Sequence, residues 1–163
     1  MTIIRQQDLI DSVADALQYI SYYHPVDFIQ AVKQAYDREE SKAAKDAMAQ
    51  ILVNSRMCAM GHRPICQDTG IVTVFVRVGM NVQWQGDMSL TDMINQGVRQ
   101  AYTHPDNVLR ASILSDPDGE RKNTGDNTPA VIHYDIVPGD KVSIDVAAKG
   151  GGSEAKSKFA MLN

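Results

Sequence analysis

The hydrophobic pattern changes period near the middle of the chain, and the change separates helices from strands. Leu9, Ile10, Val13, Leu17 and Ile20 recur at helical spacing over residues 8 to 22, with Asp11, Asp15 and Gln18 off the stripe. Tyr22, Tyr23, His24 and Pro25 break that helix. A second helix is predicted from Val26 to Arg38, with Phe28, Ile29, Val32 and Tyr36 as its buried edge. Ser41 is the expected N-cap of a third, which runs through Met48, Ile51 and Leu52 to about Ala59, with Gly61 as its stop. Cys58 falls on the apolar face of this helix and reads as a small core residue. From Ile71 the period becomes two. Val72, Val74, Val76 and Val78 share one face, and Ile71, Thr73, Phe75 and Arg77 the other, so one side is covered and the second partly covered.

A short strand over Val82 to Trp84 is expected to follow as a hairpin. Ser89 or Thr91 then caps a fourth helix through Met93, Ile94, Val98 and Ala101, ended by Pro105. Asp, Pro, Gly, Asn and Thr make residues 115 to 130 loop. Val131 to Val137 and Lys141 to Ala148 read as an antiparallel hairpin about Pro138-Gly139-Asp140. The expected class is α+β, with N-terminal helices packed on a small, mostly antiparallel β-sheet. Residues 1–163 are expected to form a single domain, 1–60 a helical scaffold and 61–163 the sheet and active-site loops.

Composition narrows the function. At 163 residues, 44% hydrophobic and 22% charged, the chain can bury one ordinary globular core. A formal net charge of -4 without a basic run argues against non-specific nucleic-acid binding. Asp8, Asp11 and Asp15 interrupt the early apolar stretch, so no membrane span is expected. Two cysteines are too few for a disulfide framework, and no apolar leader opens the chain, so a reduced, cytoplasmic protein is expected.

The chemistry concentrates where the period changes, in Arg63-Pro64-Ile65-Cys66-Gln67-Asp68-Thr69-Gly70-Ile71. Pro64 disfavours helix before it and lacks an N–H, so the segment is loop. A thiol, an amide, a carboxylate and a hydroxyl stand there in direct succession, closed by a glycine. Asp68-Thr69-Gly70 is also the core of an aspartic protease site, but Cys66-Gln67 before it and Ile71 after it fit that site badly. Lys149-Gly150-Gly151-Gly152-Ser153 follows a strand directly, and successive glycines let backbone amides approach an anion. The same stretch, Gly150 to Ser157, is a near miss to a P-loop, with Ala155 where a glycine belongs, which keeps a nucleotide-binding module as an alternative.

Cys66-Gln67-Asp68-Thr69-Gly70 resembles the signature of the class I, iron–sulphur-dependent fumarate hydratases, a family that includes L-tartrate dehydratase. Three further blocks resemble that family in the same order: Asn107 to Ser112, Asn123 to Ala130, and Ala148 to Ser153. The resemblance covers the family's N-terminal portion. It implies a hydro-lyase of the tricarboxylic acid cycle that interconverts fumarate and (S)-malate, with L-tartrate dehydration as the alternative. It implies a [4Fe–4S] cluster with Cys66 as one of three cysteine ligands, the other two lying beyond Asn163. Gln67 and Asp68 then act catalytically and touch substrate, Arg110 binds a substrate carboxylate, and Lys149, Gly151 and Gly152 complete the binding loop. Asn123 to Ala130 either walls the site or is purely structural. The implied partners are a small dicarboxylate, the missing C-terminal region and, in the full-length enzyme, a second copy. The chain stops at Met161-Leu162-Asn163 without turn or cap, and as a fragment it is expected to be inactive.

Overall fold

The computed structural model describes residues 2–151 and 158–162. Its order is β1 (Ile3–Arg5), α1 (Gln6–Tyr22), α2 (Val26–Arg38), α3 (Lys42–Gly61), β2 (Ile71–Gly79), β3 (Gln83–Gln85), α4 (Leu90–Tyr102), β4 (Val131–Val137) and β5 (Val142–Lys149). The α+β class is as expected, and the core has two layers. Val72, Val74 and Val76 of β2 pack beneath Val13 and Leu17 of α1 and Ile94, Val98, Ala101 and Tyr102 of α4. Half-buried Ile132, Val142, Ile144 and Val146 extend this layer from the flanking strands. The two helices approach closely at Gly97, where a β-carbon would come within 2.7 Å of the Ile10 carbonyl oxygen. Ser89 caps α4 as predicted, its Oγ accepting from the Asp92 N–H at 3.1 Å.

Four expectations are corrected. First, β4 and β5 do not pair with each other; β2 lies between them, parallel to β4 and antiparallel to β5. Turn chemistry at Pro138-Gly139-Asp140 reverses the chain, but reversal alone does not require adjacent strands. The two edges of β2 each pair their backbone groups with one neighbour. Second, β3 pairs in parallel with β1, which the sequence reading missed, and not with β2. Third, α2 buries no residue, and Phe28 is exposed; α2 leans on α3 and leaves the sheet to α1 and α4. Fourth, Gly61 is the last helical residue of α3, and His62 takes the left-handed cap at φ 46°. The outer face of β2 is more open than expected, with Ile71 and Phe75 exposed and Thr73 half-buried. No helix among the described residues is long and apolar enough to cross a membrane.

Candidate active site

The loop between α3 and β2 is pinned nearly residue by residue. Ile65 N–H donates to Ser21 O at 2.8 Å, and Ile65 O accepts from Asn54 Nδ2 at 3.2 Å, which ties the loop to both α1 and α3. Thr69 O accepts from the Tyr102 hydroxyl at 2.7 Å, and the Thr69 hydroxyl donates to Arg110 O. Gly70 O accepts from Asn127 Nδ2 at 3.0 Å, while Asn127 Oδ1 takes the Ser112 N–H at 2.7 Å. Asn127 is fully buried at φ 62°, a conformation that asparagine tolerates better than most residues. Behind it, Gln18 and Asn107 bind each other through side chain and backbone, and Gln18 Nε2 also reaches Ala101 O at 2.6 Å. Gln18, off the apolar stripe in the sequence, is therefore buried as a polar staple.

This bracing brings two separate blocks together. Asp68 Oδ2 accepts from the Gly151 N–H at 2.7 Å. Gly70, at φ 78°, lies against Lys149 and Gly150 with no room for a side chain. A β-carbon on Gly150 would stand 3.2 Å from Asp68 Oδ2, so the glycines allow the loop to close on the carboxylate. Lys149 Nζ donates to Gly150 O at 2.8 Å. Cys66 is exposed, with Sγ 3.6 Å from Gln67 Oε1. A cavity of about 530 Å³ is lined by Cys66, Asp68, Thr69, Tyr23, His24 and Ala148, among others.

Other expected site residues are placed differently. Gln67 is exposed and outside that lining. Arg110 is held by its carbonyl; its exposed guanidinium makes no ion pair among the described residues. Gly152 lies outside the described residues, as does most of the P-loop near miss, residues 152–157. Cys58 is buried as expected, its thiol 3.6 Å from Asn54 Oδ1 and from Pro64 O.

Sequence reasoning missed Tyr102, the side-chain role of Asn127 and His24. Tyr102 sits at the end of the apolar stripe of α4, so only its phenol marked it as more than core. Burial pushes that phenol up to about 12; the charge of Asp68 adds to the rise and the bond to Thr69 opposes it. His24 stands in the turn that breaks α1, and burial pushes its imidazole below the ordinary range.

Among the described residues no group of three or more His, Cys, Asp or Glu could hold a metal ion. Cys66, an exposed thiol on the cavity wall, fits a single attachment point for a cluster; Cys58, buried and facing protein acceptors, does not. A cluster attached at Cys66 would need its other ligands from outside the described residues.

The family model described as fumarate hydratase (fumerase) matches residues 10–163. An Escherichia coli protein named L(+)-tartrate dehydratase subunit alpha is 34% identical over 155 residues, covering 94% of this chain and 50% of the relative. A Methanocaldococcus jannaschii protein provisionally given the same subunit name is 30% identical over 155 residues, covering 93% of this chain and 54% of the relative. The chain thus spans about half the length of the curated relatives it matches. With the Cys66 loop, the glycine loop that closes on Asp68 and the family match together, the chain belongs to the fumarate hydratase (fumerase) family.

Proposed function

We propose that the complete enzyme is a hydro-lyase that interconverts fumarate and (S)-malate, moving water across a double bond flanked by carboxylates. The observation that carries this reading is the 2.7 Å bond from Gly151 N–H to Asp68 Oδ2, which joins the thiol-bearing loop to the glycine loop. A second reading, dehydration of L(+)-tartrate, is favoured by the names of the relatives. (S)-Malate and L(+)-tartrate differ by one hydroxyl, which the rest of the enzyme would largely read.

Cys66 would hold a [4Fe–4S] cluster together with cysteines from the rest of the enzyme, and such a cluster, when bound, supplies a Lewis-acidic iron suited to a departing hydroxyl. Asp68, its rotation fixed by Gly151, accepts a hydrogen bond from the substrate hydroxyl or water beside Cys66. Gln67, exposed and outside the cavity lining, would have to turn inward to donate or accept at the substrate. Arg110 offers a planar fork matched to one carboxylate, and the Lys149–Gly151 stretch is assigned to the other; Gly152, expected in the same loop, lies outside the described residues. The exposed guanidinium is available for that pairing. The general base comes from the remainder of the enzyme.

The partners in this reading are a small dicarboxylate, the half that the relatives carry beyond the matched region, and a second copy of the complete, cytoplasmic enzyme. The relatives' designation as a subunit alpha supports a separate complementary component. Alone, the 163-residue chain is expected to bind no iron and to show no hydratase activity. The test is anaerobic iron–sulphur reconstitution of the complete enzyme, assayed with malate, fumarate and L(+)-tartrate. Turnover of one or more supports the reading and ranks the substrates. A cluster-loaded enzyme inert toward all three rejects it.

A further inference from the structure

Two hydroxyls on the wall of the Cys66–Asp68 cavity are committed as donors elsewhere. Ser21 Oγ donates to Gln18 O at 2.7 Å, and the Thr69 hydroxyl donates to Arg110 O. Cys66 and Asp68, when ionised, can only accept. An anion that enters beside these acceptors needs donors from the wall. The Tyr19 and Tyr23 phenols line it too, but their hydroxyls can turn to donate or accept.

His24 differs. Its ring is stacked on Phe28, with centroids 4.5 Å apart and planes inclined by 28°. Nδ1 is buried and has no hydrogen-bond partner. Nε2 also lacks a partner among the described residues but is not closed off in the same way. A proton on Nδ1 would create a buried donor without an acceptor, and orphaned buried N–H groups are rarer than under-satisfied acceptors. The proton therefore belongs on Nε2, and desolvation keeps the ring from taking a second one.

Resting on the hydro-lyase reading, we propose that His24 contacts the substrate, its Nε2–H donating to a carboxylate or hydroxyl oxygen of the dicarboxylate in the Cys66–Asp68 cavity. This donor needs no proton from solvent and adds no charge beside a Lewis-acidic site. It also gives the turn between α1 and α2 a part in binding, which its place outside the four family-like blocks conceals.

The test uses the complete enzyme, its variants His24→Leu and His24→Gln, and ¹⁵N spectra of the imidazole. The wild type should carry its proton on Nε2, and that nitrogen's shift should move when malate or L(+)-tartrate is added. His24→Leu should raise KM about tenfold, the weight of one hydrogen bond, with a smaller effect on kcat. His24→Gln keeps an N–H near the Nε2 position and should stay within about threefold of wild type. If His24→Leu fails to fold, the wild-type tautomer and its response to ligand decide the question. A proton on Nδ1, or an unchanged KM in folded His24→Leu while the wild type turns over, overturns the role of His24 and leaves the hydro-lyase reading standing. A wild type that neither binds nor turns over any of the dicarboxylates overturns both.

Discussion

Gly70 and Lys149 stand so close that a β-carbon on the glycine would come within 2.4 Å of the Lys149 carbonyl carbon. No rotamer relieves that clash, because the obstacle is backbone. Gly70 also holds φ 78°, which L side chains rarely adopt. Gly70→Ala should therefore cost about 2 kcal/mol or more and pull the glycine loop away from Asp68. A urea melt measures the first effect. Activity of the complete enzyme should fall further than the stability loss explains if, as proposed, the two loops together form the substrate site. A variant with wild-type stability would show that the loops do not pack this tightly.

Asn127 holds two loops with one amide, donating to Gly70 O at 3.0 Å and accepting from Ser112 N at 2.7 Å. Asn127→Ala leaves two buried backbone groups without partners and should destabilise by about 3 kcal/mol. Asn127→Asp keeps the acceptor but removes the donor and buries a carboxylate, so it should be no better. The measurement is the denaturation midpoint, and a loss under about 0.5 kcal/mol for Asn127→Ala would contradict the bridging role.

Tyr102 makes alkaline stability readable. Its phenol is raised from 10.0 to about 12, so the folded state favours the neutral form. That contribution is fully present below the unfolded value near pH 10 and is lost as pH rises toward about 12. Tyr102→Phe should cost about 1 kcal/mol at neutral pH through the lost bond to Thr69 O. Above about pH 10 the gap between wild type and variant should narrow, because the wild type alone must ionise a buried phenol. A gap that stays constant to about pH 12 would mean that the phenol reaches solvent freely.

The two cysteines separate by burial. In the complete enzyme Cys66→Ser should lose the visible absorbance of a cluster together with activity. Cys58→Ala should keep both at a stability cost of about 1 kcal/mol. Loss of the absorbance on changing Cys58 alone would reassign the ligand.

Much of this was legible in the chain. The alternation from Ile71 to Gly79 marks β2 with its true limits, and Ser89 announces α4 through a local capping rule. Those signals are carried by neighbours in sequence. What was not legible depends on distant partners. The split of β4 from β5 by β2 leaves no trace in either strand's pattern, because each is apolar on one face whichever neighbour it takes. The apolar edge of α2 has helical spacing without a core to fill, so Phe28 reads as buried when it is exposed. At the site, the Cys66–Gly70 loop stood out by its reactive side chains. Tyr102 did not, since a tyrosine ending an apolar stripe looks the same whether its hydroxyl meets water or Thr69 O.

The placement of β2 between β4 and β5 also sets an order of events during synthesis. When the ribosome has delivered Gly79, the strand that follows the Cys66–Gly70 loop has neither of its eventual neighbours. Both edges wait for Val131 and beyond, and the last ladder, from Val78↔Val142 to Ile71↔Lys149, closes only after the whole sheet sequence has emerged. Its final pair, Ile71↔Lys149, lies beside Gly70 and directly ahead of the glycine loop. Such long-range pairing slows folding and leaves an apolar strand exposed to other chains meanwhile. The Gly70 end of the loop bearing Cys66 is therefore expected to be fixed late, and hydrogen exchange on stalled chains would show its amides protected only once β5 has emerged.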